Sequence, residues 1–181
     1  YELIIEPRHK VMDYNSEISL LTGMAAGQMM QAAGTGFLRT LRPAENSAEQ
    51  TFRSEAWALG YALAQDTDIG LFLHSVDADT PRGMAIMREA QKLLRGAGYV
   101  DVAEKEPEIH AGIGGYYSHV TAPLRRLVDR YATEVCLALS AGTEVPQWVR
   151  EDAPTVLKTM MRTNQLANSV DRACLNLTEA T

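Results

Sequence analysis

The densest run of reactive side chains is YSHVTAPLRR, from Tyr117 to Arg126. It brings three kinds of hydroxyl, an imidazole and two adjacent guanidinium groups into ten residues. The spacing predicts an extended segment that turns into a helix at Pro123, because proline's missing N–H is tolerated in a helix's first turn. The free N–H groups and positive dipole end of such a start favour an anion. Two cations there are unfavourable by about 0.3–1 kcal/mol each. Arg125 and Arg126 therefore point to an anion held close by, and a planar guanidinium suits phosphate. The same residues also read as a solvated face, with Arg125 paired to Asp129 at i,i+4 and Arg126 paired among the neighbours of Arg130. Spacing leaves both readings open.

The elements that must position this run are mostly helical. Glu2–Ile5 reads as a strand stopped by Pro7. Asn15 or Ser16 caps a helix to Ala33, with Ile18, Leu21, Ala25, Met29 and Ala32 as its apolar stripe and Gly34 as its end. Gly23–Gly27 on that helix reads as close packing through small residues. Phe37–Leu41 is a strand, and Pro43 opens a helix whose buried face is Ala48, Phe52, Ala56, Leu59 and Leu63. The apolar run Ile69–Val76 reads as the best strand in the chain. Asp79 or Thr80 followed by Pro81 opens a helix to Leu94, ended by Gly96 and Gly98. Tyr99–Ala103 is a short strand, Asp101–Glu108 an acidic, solvated loop and His110–Gly115 a glycine-rich approach. From Pro123 a helix buries Leu124, Leu127, Val128, Tyr131, Val135 and Leu139. One or two more helices fill Pro146–Leu177. The sum is an α+β fold, helix-rich with a few short strands.

Composition bounds the function. With 181 residues, 46% of them hydrophobic, the chain suits one globular domain and is no disordered segment. No run of about 18 apolar residues exists, so no membrane span is expected, and a cytoplasmic location is the default. Cys136 and Cys174 lie far apart and form no CxxC, so neither a disulfide framework nor a structural zinc is expected. The net charge of −6 argues weakly against nucleic acid. That balance says little about the local field where Arg125, Arg126 and Arg130 gather. The chain starts at Tyr1 without a methionine, as a piece of a longer protein would.

YYSHVTAPLRRLVDR resembles the signature of the ribonuclease II/ribonuclease R exoribonucleases, Tyr-x-His-Phe-Thr-Ser-Pro-Ile-Arg-Arg-Tyr-x-Asp. Tyr117, His119, Thr121, Pro123, Arg125, Arg126 and Asp129 match it position by position. Leu93-Leu94-Arg95, Tyr99 and His110-Ala111-Gly112 resemble elements upstream of that signature. Phe37–Arg39 with Pro43 resembles its Phe-Arg-x-His-x-x-Pro turn, and Glu17–Ala26 its Glu-x-Met-x-x-Ala-Asn helix. The resemblance runs from about Glu17 to Ala141 and more weakly beyond.

What it implies is a partial RNB-type catalytic domain: residues 1–181 as its C-terminal portion, with the N-terminal, metal-binding half outside this chain. The implied activity is Mg²⁺-dependent 3′→5′ hydrolysis of single-stranded RNA to nucleoside 5′-monophosphates. This chain alone would be inactive, its partners being RNA and that N-terminal half. Arg125 would act catalytically on the scissile phosphate. Glu17 would hydrogen-bond sugar hydroxyls, a way to tell RNA from DNA. Tyr117, His119, Thr121 and Arg126 would shape the RNA path. Arg39 and Arg95 face the channel or pair with acids. Asp66, Asp68, Asp77 and Asp79 read as loop carboxylates rather than metal ligands, so no metal-binding residue is assigned here.

The departures are specific. Leu41 replaces the histidine of the turn, Gly23 replaces the asparagine of the helix, and Asn164–Ala167 lacks the carboxylate of the family's late Glu-Arg-x-Ala helix. They motivate an alternative, a non-catalytic RNA-binding or regulatory protein on the same fold.

Overall fold

The structure, a computed structural model, describes residues 9–94 and 96–179. The strand expected at Glu2–Ile5 and the side chain of Arg95 lie outside the described residues. The chain forms two compact units. One holds the described residues up to Thr40 and from Gly98 onward, and the other is Leu41–Ala97.

The first unit opens with α1, Lys10–Ala33. Gly34 ends it in the left-handed conformation at φ 66°, as its lack of Cβ permits. The helix starts earlier than its candidate caps suggest, with His9 as N-cap and no side-chain bond there. Its expected apolar stripe is displaced. Ile18 and Leu21 are 65% and 68% exposed, and Ala25, Met29 and Ala32 face solvent too. The buried row is Gly23, Ala26, Gly27 and Met30.

Two short strands follow, β1 (Phe37–Thr40) and β2 (Gly98–Asp101). They pair antiparallel, with Phe37 opposite Asp101, Arg39 opposite Tyr99 and Thr40 opposite Gly98. Helix α5, Leu127–Ala141, begins four residues after Pro123, so the proline ends an extended segment and starts a turn rather than the helix. Of its expected face, Val128 and Val135 are buried, Tyr131 and Leu139 are half-buried, and Leu124 and Leu127 are exposed. Helix α6 runs unbroken over Gln147–Glu179, with Pro154 inside it. Phe37, Leu38, Val100, Val128, Val135, Val149 and Val156 form the core of this unit together with Met30.

The second unit holds α2 (Asn46–Ala58), α3 (Ile69–His74) and α4 (Pro81–Ala90). Helix α4 starts as its sequence indicates, with the Thr80 hydroxyl accepting from the Gly83 N–H at 3.0 Å and Pro81 in the first turn. Helix α2 starts at Asn46, after Pro43, and buries Phe52 and Ala56 as expected. The segment Ile69–Val76 is no strand. The Asp68 carboxylate accepts the Leu71 N–H at 2.9 Å and starts a helical turn. Ile69, Phe72, Leu73 and Val76 then fall at i, i+3, i+4 and i+7 and pack around Phe52, Ala56, Ile86 and Ala90.

Candidate functional site

The segment Tyr116–Ser118 is held between α1 and β1. The Ser118 N–H donates to the Gly23 carbonyl at 3.0 Å, and the Tyr117 carbonyl accepts the Arg39 N–H at 2.7 Å. The fully buried Ser118 hydroxyl donates to the Phe37 carbonyl at 2.7 Å. Glycine makes this approach possible. A Cβ on Gly27 would lie 2.7 Å from the Tyr116 carbonyl carbon, and one on Gly23 would lie 2.8 Å from the Ser118 oxygen and overlap the Tyr117 ring. The small-residue run on α1 is thus a backbone-to-backbone contact.

That contact aims a row of rings. His119 meets Tyr99 edge-on at 5.6 Å between centroids and Tyr117 at 5.5 Å, and Tyr117 in turn meets His110 at 6.0 Å. The Tyr99 hydroxyl lies 2.7 Å from His119 Nδ1. Arg39, the register partner of Tyr99, places its guanidinium carbon 4.7 Å from the centre of the Tyr99 ring. It also donates to the Gly98 carbonyl at 3.4 Å. Burial, reinforced by the charges of Arg126, Arg39 and Arg125, pushes the His119 imidazole down to a pKa of about 3. His119 is therefore neutral at pH 7 and needs no acid partner. Burial also lowers His110 and raises the Tyr99 phenol. His110 Nδ1 is buried and has no hydrogen-bond partner among the described residues.

The two arginines have separate fates. Asp129, wholly buried, accepts Arg126 Nε and Nη2 at 2.9 Å each, and its Oδ1 also accepts the Ala122 N–H at 2.7 Å. The Arg125 and Arg126 N–H groups both donate to the Ala122 carbonyl, at 3.2 and 3.1 Å. This closes a tight turn from Ala122 to Arg126. The anion that Arg126 requires is therefore internal, and it comes from the residue the sequence offers equally to Arg125. Arg125 is exposed and makes no ion pair among the described residues.

Tyr117, His119, Arg126 and the turn bearing Arg125 are thus gathered with Tyr99 and Arg39. Thr121 is exposed beside them. Glu17 is exposed on α1, six residues before Gly23 or about 9 Å along the helix axis. Its carboxylate makes no hydrogen bond or ion pair among the described residues. Sequence reasoning gave Tyr99 no role of its own. Its signal is the Arg39–Tyr99 register, which spacing alone does not reveal. Among the described residues, no group of three or more His, Cys, Asp or Glu side chains could hold a metal ion. No described helix is long and apolar enough to cross a membrane.

No protein-family model matches the chain, and no curated protein matches it in sequence. Solved structures do match in fold. A Mycoplasma genitalium RNase R bound to ribose-methylated single-stranded RNA superposes at a TM-score of 0.75 and 15% identity, over 93% of this chain and 28% of that one. The same enzyme with double-stranded RNA gives 0.73 and 15%, over 93% and 31%. Yeast Ssd1, described as a pseudonuclease, gives 0.67 and 18%, over 80% and 18%. The chain spans less than a third of the length of each. It has an α+β, helix-rich fold with two short strands and shares it with part of these RNB-type proteins.

Proposed function

We propose that this chain is the C-terminal portion of an RNB-type catalytic domain, and that the protein containing it is a cytoplasmic 3′→5′ exoribonuclease. Its substrate is single-stranded RNA and its products are nucleoside 5′-monophosphates. The observation that carries this reading is Arg125, exposed and without an ion pair among the described residues, on a turn pinned by Asp129 and close enough for its charge to act on the buried His119 imidazole. Arg125 contacts the scissile phosphate and offsets the charge that builds on it during hydrolysis. Tyr117, His119 and Thr121 line the RNA path, and Arg126 chiefly holds the turn. Glu17 takes the sugar hydroxyls. The Mg²⁺ ligands belong to the N-terminal half of the domain, the second partner of this chain.

The test uses the intact protein with a 5′-labelled single-stranded RNA and Mg²⁺. Products shortened stepwise from the 3′ end are expected. Arg125→Ala is expected to slow turnover by about 100-fold or more with an unchanged fold, and unchanged turnover would overturn the role given to Arg125.

A second reading is a non-catalytic RNA-binding or regulatory protein on the same fold. The likeness to a pseudonuclease and the missing carboxylate at Asn164–Ala167 favour it. Salt-dependent RNA binding without degradation in Mg²⁺ or Mn²⁺ would select it.

A further inference from the structure

We propose that Tyr99 fixes the tautomer of His119, so that His119 offers its Nε2–H as an uncharged donor to a phosphodiester oxygen of bound RNA. The proposal rests on the RNA-binding reading above and adds to it a positioning residue and a contact.

The argument starts from the 2.7 Å contact between the Tyr99 hydroxyl and His119 Nδ1. A neutral imidazole has one donor and one acceptor nitrogen, and the bond made by one sets the state of the other. A phenol is a better donor than a neutral imidazole N–H, and an imidazole nitrogen is a better acceptor than a phenol oxygen. The stronger arrangement is O–H to Nδ1, which leaves the hydrogen on Nε2. His119 Nε2 makes no hydrogen bond among the described residues.

Both partners are held in place. The His119 ring is flanked edge-on by Tyr99 and Tyr117, at interplanar angles of 67° and 86°. The Tyr99 ring is covered by Arg39, which β1 places opposite it and which is tied to the Gly98 carbonyl. Cations already crowd the site, since Arg39, Arg125 and Arg126 all act on His119. A protonated imidazole would add to their mutual repulsion before RNA arrives. A neutral donor supplies direction without charge, while Arg125 supplies the charge.

The test is Tyr99→Phe in the intact protein, which removes the hydroxyl and keeps the ring under Arg39. Histidine-selective ¹⁵N NMR reads the tautomer, and fluorescence anisotropy with an oligoadenylate RNA reads affinity at fixed salt. The parent is expected to show His119 protonated at Nε2. Tyr99→Phe is expected to show mixed tautomers and an affinity lower by about 2- to 10-fold, the worth of one neutral hydrogen bond. His119→Gln, which keeps a neutral donor, is expected to bind more tightly than His119→Ala. A parent protonated at Nδ1 overturns the proposal. So does a Tyr99→Phe variant that binds as the parent does while Arg125→Ala loses affinity, and that outcome leaves the RNA reading intact. A parent that binds no RNA overturns both.

Discussion

Asp129 and Arg126 form a buried, two-bond ion pair, with the carboxylate wholly enclosed and the guanidinium held at 2.9 Å through two different nitrogens. They stand three positions apart, so the pair closes at i,i+3 across the start of α5. The carboxylate's further bond to the Ala122 N–H ties both ends of the turn to one side chain. Removing one partner of a buried pair strands the other. Asp129→Ala is therefore expected to lower stability by about 3–5 kcal/mol in urea titration. A loss below about 1 kcal/mol would show that solvent reaches the pair.

On the RNA-binding function proposed above, the salt dependence of affinity separates the two arginines. Log affinity falls with log salt by about 0.7 per phosphate neutralised on a single strand. Arg125→Ala is expected to flatten that slope by about this amount. Arg126→Lys, at a position already neutralised by Asp129, is expected to leave the slope unchanged. Equal slopes for Arg125→Ala and the parent would remove Arg125 from the RNA interface.

His119 makes stability depend on pH in a defined direction. Its folded pKa is about 3, against about 6.5 for an unperturbed histidine. Between those values the unfolded chain binds the proton and the folded chain does not. Stability is complete above about pH 6.5 and falls as pH drops toward 3, by at most about 1.4 kcal/mol per unit. Solvent reaching the half-buried ring would raise the folded pKa and narrow that window from its acid end. His119→Gln is expected to flatten the curve in this window. A variant whose midpoint tracks the parent's from pH 6 to 4 would contradict the burial of this ring.

Gly27→Ala tests the contact between α1 and the ring-bearing segment. Helix propensity alone favours the change by about 0.8–1 kcal/mol. The added methyl would stand 2.7 Å from backbone that hydrogen bonds hold on both sides. Overpacking of that kind costs about 1–3 kcal/mol. A lower melting temperature is expected, and a higher one would mean that residues 116–118 can yield.

Two positions on α1 decide which of its faces is inside. Met30 is fully buried and Leu21 is 68% exposed. Met30→Ala is expected to cost about 2–5 kcal/mol. Leu21→Gln is expected to change stability by about 0.5 kcal/mol or less. The reverse order would restore the stripe that hydropathy suggests.

These cases show what the sequence makes legible. The motif around Arg125 and Arg126 is local, and its residues stay together because Asp129 lies only a few positions on. Thr80 with Pro81 marks a helix start through its own side chain, and Gly34 an end through its backbone. The inner face of α1 is hidden from hydropathy, which gives glycine no weight, whereas Gly23 and Gly27 are inside through their lack of a side chain. Ile69–Val76 is helical where its pattern suggests a strand because a short apolar run fits both alike, and Asp68 decides between them. Tyr99 lay out of reach for a different reason. Its relation to His119 and Arg39 depends on strand register, which is set by contacts between distant segments.

The two glycines of α1 also bear on where damage would be felt. Neither carries a functional group, yet each sets the separation between a helix and the segment bearing Tyr117 and His119. A random screen for loss of the proposed function should therefore recover bulkier residues at positions 23 and 27 alongside changes at the arginines. Such alleles would be rescued by nothing added at Arg125, because the fault is a spacing rather than a missing charge.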